Sequence, residues 1–189
     1  MMLTLFADAS FCPDTGAAGY GAWAIKETWD RGRFFSGPIN VKCKSSNDAE
    51  LLGIVSAAYA LEEQKAFHDV TSIMIQCDNV TALGFILQSI PNTRVRPIAG
   101  LRAPLLQGAP TGNKHNLKAL KWFQETLAGK RVWLRHVKGH NTVENDGRSW
   151  VNTRCDEAAR KHMVVRRAFL RRASNAAKHF EPLEIGEQL

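Results

Sequence analysis

Three apolar runs with alternating patterns open the chain, and the links between them are too short to hold a helix. LTLFADA at 3–9, YGAWAIKE at 20–27 and RGRFFSGPINVK at 31–42 each read as a strand. The first link, 11–19, holds Pro13, Gly16 and Gly19 and reads as a turn. Strands this close in sequence pair antiparallel, because a parallel return needs a long crossover. The period then changes. Leu51, Leu52, Ile54, Val55, Ala58, Tyr59 and Leu61 form a broad helical face over 48–66. TSIMIQCD at 71–78 reads as a buried strand, 79–90 as a helix ended by Pro91, and 115–129 as a helix stopped by Gly129. KRVWLRHVK at 130–138 is the fifth strand, 139–150 a polar loop, and 151 to about 179 a long helix. The segment 91–114, with four prolines, three glycines and three arginines, reads as an irregular basic excursion. Three strands followed by alternating helices and strands indicate an α/β fold, a mixed sheet with helices on its faces.

The 189 residues suffice for one domain and a tail. We expect a domain over 1–163 and a basic helical extension and tail over 164–189. There is no run of about 18 apolar residues, so no membrane helix is expected. The first residues lack the basic region of a signal peptide and the Arg/Ser bias of a transit peptide, so a cytoplasmic location is expected. Cys12, Cys43, Cys77 and Cys155 form no C-x-x-C pair, which argues against a zinc site and for reduced, buried thiols. The net charge of +7 is unevenly spread. Residues 1–90 carry 6 basic and 10 acidic side chains, and residues 91–131 carry 8 and 1. A polyanion would be held by the second half and presented to whatever the acids of the first half bind.

Four of those acids stand at the edges of apolar elements: Asp8, Glu50, Asp78 and Asp156. Each has an ordinary explanation. Asp8 is a solvent-facing strand residue; Glu50, three after Asn47, completes a capping box; Asp78 caps a helix at a strand-to-helix junction; Asp156 sits in a first turn, where the helix dipole favours an acid. Together they read differently. Carboxylates against apolar elements are costly to bury unless something positive binds them. Oxygen donors suit hard cations such as Mg²⁺, and a pair of such ions serves in-line displacement at phosphorus. His140, beside Gly139 in a polar loop, is placed to carry protons.

The acids occur within D-A-S followed by a glycine-bearing turn and GYGAW, then S-N-D-A-E-L, C-D-N, H-V-K-G-H and N-T-R-C-D-E-A-A-R. In this order the segments resemble ribonuclease H of type I, over roughly 3–90 and 115–162. The resemblance implies a five-stranded mixed sheet flanked by helices. It also implies endonucleolytic cleavage of the RNA strand of an RNA–DNA hybrid with two Mg²⁺ or Mn²⁺ ions, leaving 5′-phosphate and 3′-hydroxyl ends. Asp8, Glu50, Asp78 and Asp156 match the family's metal-binding carboxylates, and His140 its loop histidine. Ser46 and Asn47 match positions that contact the minor groove, and Asn152 a further substrate contact. Ser10 and Asn79 join the expected substrate-binding set. Polar groups of this kind suit the 2′-hydroxyls displayed in a wide, shallow groove. A monomer is expected.

The sequence departs from the family pattern at several points. Ala9 stands where many relatives have glycine, and Val80 where a glutamine is expected. The stretch between His140 and Asp156 is longer than in compact relatives. No basic helical protrusion is recognisable, and Arg94, Arg96 and Arg102 are expected to bind the DNA strand's phosphates instead. Trp122 and Trp150 are further stacking candidates, with Trp122 at core spacing. A DNA-directed nuclease of the wider superfamily and a non-catalytic binder remain the alternatives.

Overall fold

The computed structural model describes residues 1–90, 93–95, 114–137 and 147–178. In chain order the elements are β1 (Met2–Cys12), β2 (Ala17–Lys26), β3 (Arg33–Ile39), α1 (Ser46–Glu63), β4 (Ser72–Cys77), α2 (Val80–Ser89), β5 (Thr93–Val95), α3 (Lys114–Thr126), β6 (Arg131–His136) and α4 (Gly147–Lys178). The sheet order is β3-β2-β1-β4-β6-β5. β1, β2 and β3 pair antiparallel, and β4, β6 and β5 extend the sheet in parallel. The five strands legible in the sequence form the body of this mixed sheet. β5 adds three residues at the far edge, from within the stretch read as irregular.

Central strands need apolar residues on both faces, and β1 and β4 have them. Leu3, Leu5, Ile73 and Ile75 are fully buried, and Phe6 and Met74 nearly so. α1, α2 and α3 pack against one another, whereas α4 packs on β1, β2 and β3. The alternation of β2 divides the two faces. Tyr20 meets α1 near Gly53, while its neighbours Gly19 and Gly21 meet α4. α1 is buried nearly all round because it lies between the sheet and two helices. Trp122 packs against the core and stacks on Phe123, as its spacing suggests. All four cysteines are buried and free.

Three helix starts differ from the sequence reading, and each difference concerns an acid. α1 is capped by Ser45, whose hydroxyl accepts from the Asp48 N–H at 3.1 Å, while Asp48 accepts from the Lys44 N–H at 3.0 Å. Glu50 is therefore not the capping acid. α2 is capped by Asn79, whose side chain accepts from the Ala82 N–H at 2.9 Å, so Asp78 is not the cap either. α4 begins at Gly147 rather than 151, which puts Asp156 in its third turn, beyond the reach of the N-terminal dipole.

Candidate active site

β1 and β4 run side by side only as far as the Phe6–Gln76 pair. Beyond it β1 continues against β2 alone, and β4 continues against β6. Asp8 and Asp78 each lie two residues past that last pair, so the gap between the parting strands is flanked by two carboxylates. A gap at the carboxyl ends of parallel strands is where open α/β sheets place their ligands.

The third acid comes from the α1 side. A side chain at Gly53 would touch Ala9 Cβ at 3.2 Å and Tyr20 Cβ at 3.4 Å. Glu50, one turn earlier on the same face, thus points to the end of β1. The fourth acid comes from the opposite face. In register Gly21 stands across from Asp8. A Cβ at Gly21 would lie 2.1 Å from the Cys155 carbonyl oxygen and 2.8 Å from its carbon. α4 therefore rests directly on the β2 backbone and carries Asp156, the next residue, to Asp8. Gly19 repeats the contact one to two turns on, where a Cβ would lie 2.5 Å from the Ala159 carbonyl oxygen and the Met163 nitrogen.

Asp8 and Glu50 form the buried floor, 7% and 8% exposed, and Asp78 and Asp156 are half-buried. Asp8 is thus not a solvent-facing strand residue. Burial, followed by the nearby Asp78 and Asp156 carboxylates, pushes the Asp8 carboxyl up to about 7. Burial, then Asp8 and Asp78, pushes Glu50 up to about 9. The Ala9 backbone N–H opposes both shifts, and Arg160 opposes that of Asp8. Arg160 itself pairs with Asp156 at 2.9 Å.

Two residues that the sequence reading did not assign to the site shape it. The Cys77 thiol, fully buried and held protonated mainly by that burial, donates to Glu50 Oε2 at 3.7 Å. It also accepts from the Asn79 N–H at 3.3 Å. His136, at the end of β6, donates from Nε2 to the Asp78 carbonyl oxygen at 2.9 Å. Because a carbonyl only accepts, this fixes the proton on Nε2. Cys77 adjoins Asp78 in sequence, but nothing in the sequence brings it to Glu50, and the position of His136 depends on the pairing of Cys77 with His136.

Asn79 Nδ2 donates to Asn47 Oδ1 at 3.0 Å, so these two expected substrate contacts form one unit beside Glu50. Ser46 is exposed at the start of α1, and Ser10 is half-buried on the α4 face of β1. Asn152 lies one turn before Asp156, buried, with its Oδ1 lacking a partner. Trp150 is exposed and stands edge-on to Phe34. The Arg94 backbone lies in β5 at the sheet edge, opposite Trp133. Its side chain, and Arg96, Arg102 and His140 entirely, fall outside the described residues.

The donor set fits a hard divalent cation. Buried carboxylates that repel one another need positive charge, and the donors are oxygen apart from one sulfur. Ligand atoms of Glu50, Cys77 and Asp78 lie within 4.8 Å of one another. Burial and, after it, this repulsion make the metal-free site a stability defect with a definite pH sign. Asp8 and Glu50 titrate higher in the folded chain than in the unfolded one. Their contribution is therefore intact below about pH 4 and is lost as pH rises through 7 to 9. Glu50→Gln removes one of the two groups. In chelator its melting temperature should exceed that of the wild type by at least about 3 °C at pH 8, with the gap closing toward pH 5. Thermal unfolding of both proteins across that range checks this, and a variant less stable at pH 8 would contradict it.

The RNase H family model matches residues 1–164. No curated protein matches the chain. Among solved structures, the N-terminal RNase H domain of a Mycobacterium tuberculosis protein superposes with a TM-score of 0.54 at 15% identity, over 86% of this chain and 99% of that one. LC11-RNase H1, isolated from compost, was solved in complex with an RNA/DNA hybrid. It superposes with a TM-score of 0.53 at 13% identity, over 85% of this chain and 96% of that one. The likeness in structure is one of fold, and the family match over residues 1–164 places this chain in the ribonuclease H family.

Proposed function

We propose that the protein is an endonuclease that hydrolyses the RNA strand of RNA–DNA hybrids and leaves 5′-phosphate and 3′-hydroxyl ends. The observation that carries this reading is the meeting of Asp8, Glu50, Asp78 and Asp156 at one gap, from three layers of the fold, with two of them raised well above the usual carboxylate range by burial and then by their neighbours' charge. Family membership supports it, and so does the hybrid bound to LC11-RNase H1. The four carboxylates would hold two Mg²⁺ or Mn²⁺ ions. Bound there, the ions supply the positive charge that in-line displacement at phosphorus demands on its attacking and leaving oxygens.

The chain's own groups do the rest. The buried floor of Asp8 and Glu50 fixes depth, and the more open Asp78 and Asp156 face the substrate. Cys77 and His136 hold Glu50 and the Asp78 backbone in place. The Asn47–Asn79 pair, with Ser46 and Ser10, reads the minor groove and its 2′-hydroxyls. Asn152 turns an unsatisfied oxygen toward a donor on the substrate. His140 gives the proton to the leaving 3′-oxygen. Arg94, Arg96 and Arg102 hold phosphates of the DNA strand. Residues 1–163 form the catalytic domain of a cytoplasmic monomer, and 164–189 are an extension of it.

The test is cleavage of one end-labelled sequence as RNA–DNA hybrid, duplex RNA, duplex DNA and a four-way DNA junction, with Mg²⁺ and with chelator. We expect cutting confined to the RNA of the hybrid and lost in chelator. Cutting of the DNA forms would transfer the protein to the DNA-directed branch of the superfamily, and silence on all four, with Mn²⁺ also tried, would leave it a binder.

A further inference from the structure

α4 carries a row of cations that begins at the four-acid site with Arg160 and continues beyond it. At about 100° per residue, Arg160, Arg167 and Arg171 fall within about 20° of one line along the helix, with Asp156 about 40° from that line. The face that packs on the sheet is a different one, since Cys155, Ala159 and Met163 meet Gly19 and Gly21. Of the exposed apolar residues of this stretch, Val164, 43% exposed, lies beside the row, and the other two lie apart from it. Val165 and Phe169, 64% and 59% exposed, lie on the far side of the helix from Asp156. No acid occurs between Glu157 and Glu181.

The helix also runs in a useful direction. Arg166 donates to the Asn40 carbonyl oxygen at 2.9 Å, and Arg171 lies 3.8 Å from Asp14. α4 therefore overlies the β1–β2 turn and the link from β3 to α1, at the end of the sheet where β1 delivers Asp8. The pair of Arg171 and Asp14 is exposed on both sides, 56% and 74%, and such a pair is readily exchanged for a phosphate. Arg166 is engaged with Asn40 and Phe169 and takes no part.

We propose that Arg167 and Arg171 continue the nucleic-acid track along α4 and grip backbone phosphates of the duplex about 16 and 22 Å from Asp156, at 1.5 Å of rise per residue. The proposal rests on the reading of the protein as a nuclease of hybrids. Charge complementarity chooses the occupant: a collinear row of guanidinium groups suits a polyanion, and on the proposed function a duplex lies over the site to which α4 brings Asp156.

The test uses the full chain carrying Arg167→Ala and Arg171→Ala together, with Arg167→Lys and Arg171→Lys as the charge-preserving control. Binding of fluorescent hybrids of about 20 and about 8 base pairs is followed in chelator over a range of salt. For the longer hybrid the alanine variant should lose about tenfold in affinity at low salt, and the slope of log K against log salt should flatten by about 1.5 to 2. The lysine variant should keep the slope. The shorter hybrid, centred on the acids, does not reach the arginines and should bind equally to all three proteins. With Mg²⁺, KM for the longer hybrid should rise while kcat stays constant. An unchanged slope would overturn the proposal, as would an equal loss with both lengths. So would an arginine effect that disappears when residues 180–189 are removed, since the acids Glu181, Glu184 and Glu187 would then be the partner. Because binding is read in chelator, a wild type that binds hybrid but cuts nothing would refute the nuclease reading without touching the track.

Discussion

Asp78→Asn is expected to lower kcat on an RNA–DNA hybrid by about 10³-fold or more while leaving hybrid binding in chelator nearly unchanged. The substitution keeps shape and removes charge. Three contacts hold the segment independently of the Asp78 carboxylate: His136 bonds the Asp78 carbonyl oxygen, Asn79 caps α2, and the Asn79 N–H reaches Cys77. The local backbone should therefore persist. The loss falls on cation binding, because Asp78 is one of the two open acids of the set and repels both buried ones. The same removal of repulsion predicts a melting temperature in chelator at or above that of the wild type. Single-turnover cleavage, anisotropy and thermal unfolding on one preparation separate these effects. Activity within tenfold of the wild type would remove Asp78 from the site.

Gly21→Val should be nearly as damaging by another route. Its first side-chain carbon would lie only 2.1 Å from the Cys155 carbonyl oxygen, and the helix backbone has no rotamer with which to yield. α4 must lift from the sheet, at a stability cost of about 1–3 kcal/mol or more for overpacking. Asp156 moves with it. A displacement of about 1 Å at a reacting centre costs on the order of 10²-fold in rate. Gly129→Ala is the control. There φ is +75°, and the space around the missing Cβ is open. That variant should lose about 1–2 kcal/mol by strain and keep its kcat. If Gly21→Val lost stability but retained wild-type kcat, close approach of α4 would not be what places Asp156.

Much of this was legible in the sequence, for physical reasons that differ by element. The first three strands announced themselves because period-two patterns with short links leave few other pairings. α1 and β4 did so by a clean change of period. The four acids stood out together because each falls at the edge of an apolar element and they occur in one order of motifs. Which acids cap helices was not legible. Ser45 and Asp48 sit only a few residues from Asn47 and Glu50, and capping depends on φ and ψ at one residue, which composition does not fix. The start of α4 was placed late because Gly147 and the polar residues after it mimic a loop. β5 lay hidden among prolines, since three residues against one neighbour leave almost no periodic signal. Cys77, His136 and Gly21 were invisible as site residues. Their roles arise only where strands from distant parts of the chain lie side by side.

The four carboxylates also enter the fold in a particular order. Asp8, Glu50 and Asp78 belong to the first 78 residues, yet Asp156 arrives only with α4, after every strand of the sheet. Until α4 docks onto Gly19 and Gly21 the chain holds an incomplete donor set, so a fragment that ends before residue 156 would carry every strand of the sheet and three of the acids without the fourth.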